Sequence, residues 1–144
     1  MTFQRILVAV EDSPIGVEAI DIGIGLARSL KAEAALIRVA EPPTAYAADT
    51  GISTNTLIAQ ARQEDQKQLA AVRERLSLPS SIQEFLLAGE PANEIVKVAK
   101  EWPADLIVLG SHARTGLSRA LLGSVAEVVT RNAPCSVLVI RGRK

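Results

Sequence analysis

The residues best placed for chemistry lie in the last third of the chain. Gly110-Ser111-His112-Ala113-Arg114-Thr115-Gly116 is followed shortly by Leu121-Leu122-Gly123-Ser124-Val125. Glycine lets a backbone approach an anion with no side chain in the way. Amides at a helix start point outward and carry the positive end of the helix dipole. A phosphate therefore fits between Gly110 and the Gly123-Ser124 turn, with the Ser124 hydroxyl adding a hydrogen bond. The plainer alternative is that the glycines only make turns, and spacing alone leaves both readings open. Arg114 and Arg119 flank the segment as candidates to neutralise phosphate charge, against the ordinary alternative of surface arginines.

Other reactive types are sparse. His112 is the only histidine and has no cysteine or histidine at ligand spacing, so a metal site is not expected. It has no visible partner for general-base work, and a packing or hydrogen-bonding role suits it better. Ser124 does not sit in a nucleophile elbow and has no base in evidence. Glu11 and Asp12 form an acidic pair that would suit magnesium held through phosphates. The alternative is a helix-entry carboxylate favoured by the dipole, which is the better reading for Asp12. Cys135, after Pro134, reads as a small buried side chain.

These residues need elements to hold them, and two kinds of segment alternate along the chain. Ile6-Leu7-Val8-Ala9-Val10 is a continuous apolar run of the kind buried on both faces of a parallel sheet. Ser13-Pro14 supplies an N-cap and a first-turn proline. Val17, Ile20, Ile22, Ile24, Ala27 and Leu30 then make a broad helical stripe. A second strand is expected over 35–40, interrupted only by Arg38. Residues 41–55 read as a long loop, functional or simply a surface loop. A polar helix follows, with Ile58, Ala61, Leu69, Val72 and Leu76 on one face. A third strand is expected over 82–88, then a helix carrying Ile95, Val98 and Ala99, and a fourth strand over 106–109. Trp102 is expected to close that helix end against the sheet. Leu121, Leu122, Val125, Val128 and Val129 mark a fourth helix, and Val137 to Ile140 the last strand. The β-α alternation predicts one α/β domain over residues 1–144, with a parallel sheet, right-handed crossovers and helices on both faces. Ligands of such sheets sit at the carboxyl ends of the strands, where strand order reverses.

Composition narrows the function classes. The chain has 144 residues, 48% of them apolar but only 3% aromatic, so aliphatic packing must build the core. Few aromatics argue against base-stacking nucleic-acid binders and flavin carriers. Sixteen basic and sixteen acidic residues cancel, which leaves no footprint for nucleic acid or an anionic membrane. One cysteine precludes an internal disulfide, and strand-like sequence from Ile6 leaves no room for a cleavable signal, so a soluble cytoplasmic protein is expected. The third strand ends Leu86-Leu87-Ala88-Gly89, without the Asp of a phospho-receiver domain. No Gly-Lys-Ser or Gly-Lys-Thr of a P-loop occurs.

Several stretches together resemble the universal stress protein family over nearly the whole chain. They are Ile6 to Pro14, Gly89-Glu90-Pro91-Ala92-Asn93-Glu94-Ile95, Ala104 to His112, Arg114-Thr115-Gly116-Leu117-Ser118, Leu122-Gly123-Ser124-Val125-Ala126-Glu127 and Pro134 to Val139. The resemblance implies a Rossmann-like sheet of the adenine nucleotide alpha hydrolase type, strand order 3-2-1-4-5. It implies a homodimer binding an adenine nucleotide in a stress-response role: ATP, with or without Mg2+, or ADP or AMP. The family's ATP-binding subgroup spaces a glycine, two residues, a glycine, nine residues, and a glycine followed by Ser or Thr. Gly110 and Gly123-Ser124 fit the ends of that motif. Ala113 takes the place of the middle glycine, at a cost of about 1–2 kcal/mol if positive φ is needed there. Glu11 stands where the family usually has Asp. By the same resemblance Val39 matches an adenine-contacting position, Ala9 and Leu109 flank the pocket, and Val125 offers an amide.

Three expectations follow. The nucleotide site comprises Ala9, Glu11, Val39, Leu109, Gly110, Ala113, Arg114, Gly123, Ser124 and Val125. No catalytic base is evident, so any ATPase activity is weak. The last strand lies at a sheet edge and carries neither charge nor proline between Val137 and Ile140, which invites pairing. The resemblance makes the same strand of a second copy its partner. The alternative function is a nucleotide-free interaction module of the same fold, acting through protein partners.

Overall fold

A computed structural model describes residues 2–40, 51, 53–112 and 122–142. Nine elements alternate along it: β1 (Arg5–Ala9), α1 (Pro14–Leu30), β2 (Glu33–Ala40), α2 (Thr54–Arg75), β3 (Gln83–Ala88), α3 (Pro91–Glu101), β4 (Leu106–Ser111), α4 (Ser124–Asn132) and β5 (Ser136–Arg141). The strands form one parallel sheet in the order β3-β2-β1-β4-β5. This is the architecture expected from the alternation and the resemblance.

Alternate residues of each strand feed two cores. Ile6, Val8, Leu36, Leu106 and Val108 face α1 and α2. Leu7, Ala35, Ile37, Ile107 and Leu109 face α3 and α4. Central strands buried on both faces must be apolar at every position, which is why the runs around Leu7 and Ile107 do not alternate. Trp102 caps the end of α3 and packs edge-on against Phe85, with the Arg5 guanidinium over its ring.

Several boundaries move from their expected places, each for a tertiary reason. β4 continues to Ser111 because Gly110 and Ser111 pair with Ile140 and Arg141 of β5. Hydrogen bonding by a neighbouring strand thus overrides the loop character of Gly-Ser. In α1, Ile20, Ile24 and Ala27 are buried, while Val17 and Leu30 are exposed. The apolar face of α2 is shorter than its sequence period suggests. Leu69 and Val72 are buried, but Ile58 is 43% exposed and Ala61 lies in solvent. The C-terminal half of α2 alone rests on the sheet. α4 begins only at Ser124, so Leu122 precedes it and Leu121 falls outside the described residues. Among the described residues no helix is long and apolar enough to cross a membrane.

Candidate functional site at the carboxyl end of the sheet

Strand order reverses between β1 and β4, and a cavity of about 490 Å3 opens beside that point. The ends of β1, β2 and β4 give it Ala9, Ile37, Val39, Leu109 and Gly110, and α3 adds Pro91 and Ile95. Gly123, Ser124, Val125 and Ala126 at the start of α4 close it, with Glu11 and His112 at the same end. Every expected site residue within the described chain therefore lines one space. Ala113 and Arg114 lie outside the described residues.

The start of α4 differs from the other three helix starts. α1 is capped by the Ser13 hydroxyl, α2 by the Ser53 hydroxyl, and α3 by the Glu90 carboxylate, which accepts from the amides of Ala92 and Asn93. α4 has Gly123 as its N-cap and, among the described residues, no side-chain cap. The Glu127 amide makes the first helical bond, to the Gly123 carbonyl. The amides of Ser124, Val125 and Ala126 precede it and belong to residues lining the cavity. Unsatisfied first-turn amides at the positive end of a helix form an anion site. The Gly123 amide is not part of it, because it donates to the buried Ser111 hydroxyl at 2.7 Å.

Both glycines of the motif have a packing reason. A Cβ on Gly110 would stand 2.8 Å from the Ile15 Cγ2, and one on Gly123 would stand 2.6 Å from the His112 carbonyl oxygen. Gly110 lets α1 approach β4, and Gly123 lets the chain cross the end of that strand. Gly123 has φ −63, so it is needed for space and not for a left-handed backbone. By holding the start of α4 against the end of β4, these contacts also set its first turn beside the cavity.

His112 has the partners that its sequence neighbourhood lacks. Its Nε2 lies 3.1 Å from the Ser13 hydroxyl and in contact with the Glu11 carboxylate. Both partners meet the same ring nitrogen, and the Ser13 oxygen already accepts the Gly16 amide at 3.0 Å. The group therefore joins the turn after β1 to the end of β4, and it is not arranged as a nucleophile with its base.

Asp12 is not the helix-entry carboxylate expected of it. It takes two hydrogen bonds from the Arg38 guanidinium, at 3.1 and 3.2 Å, and one from the Gln68 amide at 2.6 Å. Arg38 also donates from Nε to the buried Asp65 at 2.5 Å. Burial opposes the charge on Arg38, but hydrogen bonds to Asp65 and Asp12 outweigh it and raise its pKa above the ordinary arginine value. Sequence reading treated Arg38 as an interruption of a strand. A cation inside an apolar run is itself a signal that a buried anion must lie opposite. Among the described residues no group of three or more His, Cys, Asp or Glu is arranged to hold a metal. Cys135 is half-buried, and burial followed by the charge of Asp105 pushes its thiol pKa up, away from reactivity.

Comparison with known proteins shows the family and the fold. The model of the universal stress protein family matches residues 2–141. Universal stress protein MJ0531 of Methanocaldococcus jannaschii is 35% identical over 99% of this chain and 84% of its own. The fold is shared with universal stress protein UspA from Lactobacillus plantarum, at TM-score 0.80 and 24% identity over 98% of this chain and 99% of that one. It is also shared with a universal stress protein solved in complex with cAMP, at TM-score 0.66 and 23% identity over 98% of both chains.

Proposed function

The chain belongs to the universal stress protein family, and from that premise we propose that it binds an adenine nucleotide in a regulatory, stress-response role. The observation that carries the reading is the uncapped start of α4 opening into an apolar cavity. The apolar wall of Ala9, Ile37, Val39, Leu109 and Ile95 suits a purine and the carbon face of a ribose. The amides of Ser124, Val125 and Ala126, with the Ser124 hydroxyl, suit a phosphate. Glu11 supplies an acceptor for a ribose hydroxyl or an exocyclic amine. The cAMP complex of a structural neighbour supports an adenine ligand for this fold.

ATP is the first candidate, with ADP and AMP as alternatives, and Arg114 and Ala113 belong to the proposed site on sequence grounds. Any Mg2+ would be held through the phosphates and Glu11, since Asp12 is taken by Arg38 and Gln68. The role proposed is nucleotide occupancy, with at most a weak ATPase activity. Titration calorimetry with ATP, ADP and AMP tests the reading. Saturable binding of at least one is expected, and no heat with millimolar ligand contradicts it.

The proposal includes a cytoplasmic homodimer paired through β5. β5 is an edge strand, and Val137, Leu138, Val139 and Ile140 remain partly exposed on it. Pairing would satisfy its free backbone groups and cover those side chains. Light scattering should give about twice the 15.3 kDa chain mass. A monomer at working concentration removes the dimer.

One observation favours a second reading, a nucleotide-free interaction module. Gly110 and Gly123 are both accounted for by packing against Ile15 and His112, without any phosphate. An Ala113→Gly variant that binds ATP, from a parent that does not, would select that reading.

A further inference from the structure

Arg38 leaves the sheet on the face opposite the cavity. Its strand neighbours Ile37 and Val39 line the cavity, while Arg38 turns toward α2 and meets Asp65. Its Nη1 also reaches the Val10 carbonyl at 3.4 Å, and Asp12 is bound by both Arg38 and Gln68. One guanidinium thus ties together β2, the turn after β1, and α2. Two of the tied residues are chain neighbours of cavity residues: Arg38 precedes Val39, and Asp12 follows Glu11.

Leu69 and Val72 are the fully buried apolar side chains of α2, and among the described residues of its N-terminal half only Leu57 is half-buried. Asp65 is only 6% exposed, and its Oδ2 and the Gln68 Oε1 are buried with no hydrogen-bond partner among the described residues. A buried acceptor left without a donor opposes the docked state. The C-terminal turns of α2 are also held by Arg73 on Glu84 and Arg75 on Asp21, so the charged clamp, which carries its own penalty, matters most for the middle of α2 and leaves that part prone to local opening.

We propose that Arg38 is a positioning residue that couples the seating of α2 to occupancy of the nucleotide cavity. The inference rests on the nucleotide reading of that cavity. A ligand that fixes Val39 and the Glu11 turn also fixes Arg38 and Asp12, and so strengthens the hold on Asp65 and Gln68. Linkage is reciprocal: whatever factor the ligand adds to α2 docking, α2 docking adds to ligand affinity.

The experiment is amide hydrogen exchange across residues 54–75 of the full chain, with and without saturating AMP, in the parent and in Arg38→Gln. AMP should slow exchange in the parent helix. Arg38→Gln should bind AMP about tenfold more weakly, and at saturation its helix should no longer respond. Asp65→Asn, of unchanged shape, gives the same readout with a smaller loss if Arg38→Gln does not fold. A purely structural role would lower stability without separating ligand binding from α2 protection. AMP binding to the parent with α2 exchange unchanged overturns the coupling alone. So does an Arg38→Gln protein with parental affinity and a parental response. Failure of AMP, ADP and ATP to bind the parent overturns the nucleotide reading and this inference with it.

Discussion

The two ends of the sheet each hold a cavity of similar size, about 520 Å3 at the amino ends of the strands and about 490 Å3 at the carboxyl ends. The amino-end cavity has two cations, Arg28 and Lys31, and one anion, Glu33, on its wall. By formal charge it would be the better home for a phosphate. The backbone says otherwise. α1 ends there, and two of its last carbonyls are paired: the Ala32 amide bonds Ala27 at 2.8 Å and the Lys31 amide bonds Arg28 at 3.3 Å. At the carboxyl end α4 begins, and among the described residues its first amides have no side-chain cap. In a parallel β-α sheet every helix starts at the carboxyl end and finishes at the amino end. The two cavities therefore face opposite ends of the helix dipoles. On the proposed nucleotide reading, what separates a site from a hollow here is the direction of the backbone and whether its polar groups are already paired.

That contrast can be broken at its strongest point first. Gly123→Val forces side-chain atoms against the His112 carbonyl, where even a Cβ would stand at 2.6 Å. The start of α4 must shift, with loss of nucleotide binding and about 1–3 kcal/mol of stability. Ser81→Val on the exposed wall of the amino-end cavity should leave nucleotide affinity unchanged. Calorimetry and urea unfolding of the two variants check the pair.

Ser124→Pro sharpens the comparison to one amide. Ser124 is the first helical residue, where proline is tolerated, and Gly123 has φ −63 and ψ 159, the extended backbone that suits a residue before proline. The helix should survive without that N–H and hydroxyl. Phosphate-bearing ligands should bind about tenfold more weakly or worse, since a hydrogen bond to a charged group is worth roughly 1.5–3 kcal/mol. Adenosine affinity should not change. Ser124→Ala isolates the hydroxyl and should cost less. Equal losses for adenosine and AMP would place the phosphate elsewhere.

The smallest effect belongs to the other end. Lys31 holds a left-handed conformation, φ 54 and ψ 38, at the C-terminus of α1. Lys31→Gly removes that strain and should raise stability by about 1 kcal/mol, measured by thermal unfolding. It also removes a cation from the amino-end cavity. Unchanged nucleotide affinity is expected, and a marked loss would move the phosphate site to the amino end.

Much of this was legible in the sequence where local rules decide. The buried strands around Leu7 and Ile107 show as unbroken apolar runs because both faces are covered. Ser13-Pro14 announces α1 because cap and first turn are local chemistry. The motif at Gly110 and Gly123 names residues that the fold brings to one cavity, although its glycines answer to Ile15 and His112, contacts that sequence does not reveal. The partners of His112 come from a turn about a hundred residues away. Arg38 and Asp65 meet across 27 residues, and only the oddity of a cation in a strand hinted at it. The period of α2 placed Ile58 and Ala61 on the sheet, but periodicity cannot say where a helix runs past the edge of its support. The open start of α4 could have been noticed, since Gly123 offers no side chain to cap the helix and the hydroxyl of Ser111 reaches only the Gly123 amide.

The most direct test follows the backbone amides of Ser124, Val125 and Ala126 in nitrogen–proton correlation spectra during titration with AMP. The account predicts that these amides shift and saturate together with that of Val39, while those of Lys31 and Ala32 stay in place. Saturable AMP binding that leaves all three α4 amides unmoved, or no binding at millimolar AMP, would contradict it.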